Sequence, residues 1–287
     1  MNEYDAGAGD RTRRPLVVAD LRPLLGFFSR LPVGASASLE AVVDAFPLVP
    51  VVGWMTGAVG AVACLLLAPL LPAAALGAIL LTLVVGLTGL NQTDGLLDLG
   101  DGLMVHGDAE KRLQVMHDHS AGVGAVGAVL FTYLLAYGAL VGIVQTLAVG
   151  SGVLGGRPDW FAEDAFRAAA AVAAAEILCR VPYLLLSVNA RASHGGLGDA
   201  FVRGFRVRHL VVGLVAATPG VALSAWLGWL PALLAAAAAV GVGLGLRRTA
   251  ERLLGGVGGD VMGASQEVAR TAVLLALCLG LGLERLL

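Results

Sequence analysis

Five aspartates fall between positions 92 and 118 of an otherwise apolar chain: Asp94, Asp98, Asp101, Asp108 and Asp118. Carboxylates beside membrane-length hydrophobic runs are costly to keep unless they bind cations or do chemistry. In Asp94-Gly95-Leu96-Leu97-Asp98-Leu99-Gly100-Asp101-Gly102 the first three acids lie at i, i+4 and i+7. On a helix this puts them within about 60° of one another, as one acidic stripe, with Leu96, Leu97 and Leu103 on other faces. Three like charges on adjacent turns repel, and a divalent cation is the simplest compensation. Mg²⁺ accepts carboxylate oxygens and keeps waters that a substrate phosphate can replace. The spacing therefore points to a metal–phosphate site on Asp94, Asp98 and Asp101. A loop of merely solvated acids is the plainer alternative, but it does not account for Gly95, Gly100 and Gly102, which favour close approach of backbone or ligand. Asp108, Asp118, His106, His117 and His119 are further candidates; for a single histidine at an interface the ordinary surface role is the default.

Two other constellations carry similar chemistry. Gly255-Gly256-Val257-Gly258-Gly259-Asp260 is followed by Glu267, seven residues after Asp260, and preceded by Arg247, Arg248 and Arg252. The glycines permit a turn whose N–H groups face an anion, so a substrate phosphate is expected near Gly259, Asp260 and Glu267. Arg191-Ala192-Ser193-His194-Gly195-Gly196-Leu197-Gly198 joins a cation, a candidate base and glycines. Glu176 and Arg180 stand at i, i+4 inside an apolar run, where they either pair with each other or touch substrate.

The elements that must position these residues are membrane helices. The chain of 287 residues is 57% hydrophobic and 14% charged, with a mean hydropathy of +0.83, far from a soluble domain. Runs at 47–68, 72–90, 121–150, 165–186 and 210–230 are long enough to span. Two shorter ones, 231–246 and 271–283, span only with flanking residues, which predicts about seven helices. Small residues such as Gly53, Gly57 and Ala61, or Gly122 and Ala125, suit close helix packing. The expected fold is an all-α polytopic bundle. Residues 1–46 form an N-terminal segment with an amphipathic interfacial helix over 16–31, and residues 47–287 form the membrane-embedded catalytic domain. Fifteen basic residues, among them Arg30, Lys111, Arg112, Arg191, Arg203, Arg247 and Arg270, fall on one side if the N-terminus is cytoplasmic, against Arg157 and Arg285 on the other. The positive-inside rule then places the N-terminus and the acidic loops in the cytoplasm of a multi-pass cell-membrane protein. No signal peptide is expected from the polar first twenty residues. Cys64, Cys179 and Cys278 are scattered in apolar segments and read as packing residues. The partners expected are the bilayer and small substrates, with no nucleic acid; a homo-oligomer stays open.

The motifs resemble those of the adenosylcobinamide-GDP ribazoletransferases, or cobalamin 5′-phosphate synthases. The resemblance runs through Phe27-Phe28-Ser29-Arg30-Leu31-Pro32, Phe46-Pro47-Leu48-Val49, the acidic stretch from Asp94 to Gly102, Val115-Met116-His117-Asp118, Gly195-Gly196-Leu197-Gly198 and Gly259-Asp260-Val261-Met262-Gly263-Ala264. It departs at Gln92, where a histidine is usual, and at His119-Ser120; no role is carried over to these positions. The resemblance implies a Mg²⁺-dependent transfer. The ribose hydroxyl of α-ribazole 5′-phosphate attacks the cobinamide-linked phosphorus of adenosylcobinamide-GDP, releasing GMP and giving adenosylcobalamin 5′-phosphate; α-ribazole itself is the alternative acceptor. It also implies Mg²⁺ on Asp94, Asp98 and Asp101, one of these acids or Asp118 as proton acceptor, and Arg30, Arg112 and Arg191 as phosphate clamps. Other corrin-pathway enzymes are conceivable partners. Two other classes fit less well. The CDP-alcohol phosphotransferases use clustered aspartates, but Leu97-Asp98 stands where their motif has Ala-Arg. A cation transporter would carry its acids on broken helices near mid-membrane, within inverted repeats.

Overall fold

Apolar backbone in a bilayer can satisfy its amides only within itself, and helix is what this sequence forms. A computed structural model describes residues 21–33, 38–118, 120–147, 163–193 and 196–287. Among these, regular structure is helical apart from one isolated two-residue parallel bridge, Ala192 with Val257. Six stretches are long and apolar enough to cross a membrane. They are Leu39–Leu67 (α2, Leu39–Ala45, a short 3₁₀ turn, and α3, Val49–Leu67), α7 (Val123–Thr146), Glu163–Ser187 (α8, Glu163–Leu178, and α9, Val181–Ser187), α11 (Val207–Leu227), α12 (Trp229–Leu253) and α13 (Gly259–Glu284). A bent pair, α4 (Ala73–Leu87) and α5 (Asn91–Met104), meets at 93° and makes a seventh if counted as one span. The remaining helices are short: α1 (Arg22–Phe28), α6 (Ala109–Met116) and α10 (Leu197–Val202).

The expected count of about seven agrees with this, but the last two spans are longer than hydropathy indicated. Arg247, Arg248, Glu251 and Arg252 lie on the closing turns of α12, and Asp260, Glu267 and Arg270 lie within α13. Arg270, placed by charge in a cytoplasmic segment, is 1% exposed inside the bundle. Arg167 on α8, whose Nη2 donates to Leu227 O at 3.0 Å, joins Arg285 toward the face away from α5; Arg157 lies outside the described residues. The interfacial helix expected over 16–31 is α1, over Arg22–Phe28, and it buries Leu24, Leu25 and Phe28 within the protein. Residues 16–20 lie outside the described residues.

Small residues let the spans close. The Ala-rich α8 with its continuation α9 is the most buried of the six spans, with 89% of the spanning window inside the bundle. A Cβ on Gly53 would collide with the backbone oxygen of Glu176, and one on Gly57 would sit 3.0 Å from Ala173 Cα. The α4–α5 break is written in the backbone: Gly89 and Leu90 both take left-handed conformations, φ 72° and 64°. Such a conformation is strained for leucine.

Four charged side chains meet in the interior. Glu176 and Arg180 come from the α8–α9 region, Glu267 and Arg270 from α13, all at most 1% exposed. Arg270 Nε donates to Glu176 Oε1 at 2.5 Å, and its Nη1 donates to Glu267 Oε2. Arg180 Nη2 stands 3.8 Å from Glu176 Oε2, while its Nη1 donates to Gln266 Oε1. Thr56 of α3 donates to Glu176 Oε2 at 3.0 Å and Tyr133 of α7 to Glu267 Oε2 at 3.2 Å. The expected i, i+4 pair thus exists but is secondary to a cross-helix pair with Arg270. Removing one partner of such a set leaves a buried charge uncompensated. Arg270→Met should destabilise the protein by about 3–5 kcal/mol, read as a lowered melting temperature in detergent. An unchanged melting temperature would contradict this pairing.

Candidate active site

The acidic stripe exists as a helix face. α5 carries Asp94 exposed, Asp98 and Asp101 half-buried, and Leu96 and Leu99 buried behind them. Two glycines set where α5 lies. A Cβ on Gly95 would come within 2.6 Å of Asp260 O, and one on Gly100 within 2.6 Å of Gly124 O, so α5 is wedged between the starts of α13 and α7. Gly95 brings the Asp260 carboxyl to the stripe. Of the acids whose charge acts on Asp98, Asp260 is the strongest, ahead of Asp94 and Asp101.

The start of α13 is built from the two glycine motifs together. Val257 N donates to Arg191 O at 2.8 Å and Ser193 N to Val257 O at 3.2 Å. A Cβ on Gly256 would strike the Arg191–Ser193 backbone, and one on Gly198 would stand 2.6 Å from Gly259 N. Gly255, at φ 75°, makes the turn out of α12. Three segments that sequence treats separately therefore converge on one cleft of about 440 Å³. Asn91, Gln92 and Asp94 of α5 line it, as do Gly259, Asp260, Met262 and Gly263 of α13. His117 and Gly198 complete its polar rim, and Phe27, Phe28, Tyr183 and Phe201 form an aromatic wall. The N-terminus of a 26-residue helix opens beside this cleft.

The other candidates are spread around it. Asp101 is turned to α7, accepting Gly122 N at 2.6 Å and Ala125 N at 2.8 Å. Asp108 caps α6 by accepting Lys111 N at 3.0 Å. Asp118, next to cleft-lining His117, accepts Ser120 N at 3.1 Å. Arg30 folds over Gly89 at the α4–α5 break, its own N–H donating to Leu87 O at 2.6 Å. The Arg112 guanidinium donates to the carbonyls of Gly102, Leu103 and Gly107, closing the C-terminal end of α5. Arg191 is exposed on the bridge. Glu267 lies fully buried in the ion network below the cleft, tied to α5 through Tyr133 and Thr93, whose hydroxyls are 2.6 Å apart. His119, His194 and Gly195 lie outside the described residues. Among the described residues no three of His, Cys, Asp and Glu stand together as a ready metal cage. The aromatic wall was not legible beforehand, because its rings come from three distant segments; the one hint was that Phe27 and Phe28 sit in a motif.

A polytopic helical bundle with Asp94, Asp260 and a glycine-built helix start at one cleft suits a membrane-embedded transferase. A model of the Cobalamin-5-phosphate synthase family matches residues 20–278, and the chain belongs to that family. It is 34% identical over 262 residues to the adenosylcobinamide-GDP ribazoletransferase of Halorubrum lacusprofundi, covering 91% of this chain and 97% of the relative. The protein of the same name from Haloquadratum walsbyi is 30% identical with the same coverages. That of Methanosarcina barkeri is 29% identical over 90% of this chain and 91% of its own. No solved structure matches. The resemblance read from the motifs thus holds along the chain.

Asp101 offers a test that separates its two tasks. Asp101→Ala removes the acceptor from the first turn of α7 and should cost about 0.5–2 kcal/mol of stability. Asp101→Asn keeps one acceptor and turns an N–H₂ toward the other amide, so it should melt between the alanine variant and wild type. Equal melting of wild type and the alanine variant would show that the capping bonds do not form.

Proposed function

We propose that this chain joins adenosylcobinamide-GDP to α-ribazole 5′-phosphate, giving adenosylcobalamin 5′-phosphate and GMP. The observation that carries this reading is the meeting of Asp94, Asp260 and the Gly198–Gly259 contact at one cleft, within a chain of the matching family. A new O–P bond forms between the ribose hydroxyl and the cobinamide-linked phosphorus as the P–O bond to GMP breaks. Asp94, exposed on the cleft wall, is placed to take the hydroxyl proton. The N–H groups at the start of α13 face the phosphate oxygens, where helix termini favour anions. Arg30, packed on Gly89 at the α4–α5 break, and Arg191, next to the Ala192–Val257 bridge, are further candidate phosphate partners.

The donor set suits Mg²⁺, being all oxygen and crowded with like charge around Asp98. Asp94, Asp98 and Asp260 would hold it, with Asp101 adding charge from the next turn of α5, where it is bonded to the start of α7. Fewer than three protein ligands suffice, since Mg²⁺ keeps waters and binds through one or two carboxylates plus substrate phosphates. When bound, the ion neutralises the diphosphate and the charge on departing GMP. The site face carries Lys111, Arg112, Arg203, Arg206, Arg208, Arg247 and Arg248, which supports a cytoplasmic orientation in a cell membrane.

The purified protein in detergent, given Mg²⁺ and both substrates, should release GMP above a boiled control. EDTA should stop the release and added Mg²⁺ restore it. Asp98→Asn should lower the rate by at least ~100-fold with unchanged elution and melting. A folded sample that releases no GMP would refute the reaction, and a wild-type rate in Asp98→Asn would remove that residue from the site.

A further inference from the structure

A directed chain of hydrogen bonds ends at the floor of the cleft. Arg180 is fully buried, and a guanidinium can only donate. Its bond therefore fixes Gln266 Oε1 as an acceptor, and Tyr183 Oη donates its hydrogen to the same oxygen at 3.1 Å. Gln92 lines the cleft together with Tyr183, and its Oε1 is the end of its amide that nothing meets among the described residues, although Gln92 is only 4% exposed. A buried carbonyl left unpaired is unfavourable, and a small turn of the Gln92 side chain toward the cleft it lines brings this oxygen to an entering donor. The site is thus built for a donor that arrives with a ligand. The walls beside it indicate what kind. Phe27 is half-exposed and packs edge-on against Phe28 at 4.9 Å and Phe201 at 5.7 Å, leaving a ring on which a planar base can stack.

We infer that the cleft between α1, α5, α10 and α13 is the guanine subsite of the nucleotide-bearing substrate, with Gln92 Oε1 accepting from the N–H edge of the base. This rests on the reaction proposed above and adds which substrate occupies the cleft and which residue reads it. A volume of about 440 Å³ is at the small end of ligand pockets, roughly 300–1,000 Å³, and suits a nucleotide rather than a macrocycle. Of the bases involved, guanine presents N–H donors and the base of α-ribazole, glycosylated at a ring nitrogen, has none; the adenine of the adenosyl group carries an N–H₂ but is attached to the macrocycle, which this volume does not admit.

Isothermal titration of the detergent-purified full chain with GMP, and with purine riboside 5′-monophosphate, whose base lacks N–H, tests the contact without turnover. Wild type should prefer GMP by about tenfold. Gln92→Met should bring the ratio near one, while Gln92→Glu, which keeps an acceptor at the same reach, should retain the preference. Phe27→Leu should weaken both nucleotides by a similar factor. Equal binding by wild type, or a preference that survives in Gln92→Met, overturns the assignment. In the assay, Gln92→Met should raise KM for adenosylcobinamide-GDP and leave that for α-ribazole 5′-phosphate unchanged; the reverse pattern places the other base in the cleft and also overturns it. Selective GMP binding by a sample without turnover would uphold the contact while sinking the reaction.

Discussion

The pairing of Arg270 with Glu176 and Glu267 fixes what the other helices can do. Charges buried this deeply are tolerated only when each finds its opposite and its remaining hydrogen-bonding groups are met. Here the partners come from α8 and α13, and the spare oxygens reach Thr56 on α3 and Tyr133 on α7. Any register shift of α13 would strand a charge, so the ion network sets the height at which α13 begins. That height decides where Gly259 and Asp260 meet α5.

Above the network a second constraint operates, made of missing side chains. Gly95 against Asp260, Gly100 against Gly124, and Gly198 against Gly259 are backbone-to-backbone approaches that any Cβ would hold apart. Hydrophobic burial alone does not specify such contacts, because lipid is as apolar as the protein interior. Shape and buried polar bonds take over that task. The result is a cleft whose walls belong to helices held from both below and beside.

Much of this was legible in the chain. The acids at 94, 98 and 101 read as a helical stripe because carboxylate spacing matched the helical period, and the spans read from apolar runs. What failed were contacts between residues far apart in sequence. Arg270 looked like a loop charge since its chief partner, Glu176, is 94 residues away, and no window-based hydropathy detects such compensation. Asp101 looked like the equal of Asp98, but its two hydrogen bonds go to residues 21 and 24 positions on. Gln92 was set aside as a departure from the family pattern; its meaning depends on the cleft it lines with Tyr183, which comes from another helix.

The break at Gly89 and Leu90 has a consequence for water. α4 has 15 residues, about 22 Å of helix, against a hydrocarbon layer of about 30 Å. Started at the far headgroup level, α4 ends short of the near one, and the first turn of α5 with it. On the proposed function, a phosphate held at that depth would be flanked by helix walls and would meet fewer solvent molecules than one at the surface. Charge interactions are stronger there than in bulk water, and hydrolysis, the side reaction that threatens every activated phosphate, lacks its nucleophile. The bilayer would then act as a drying shell around chemistry on molecules that are themselves soluble.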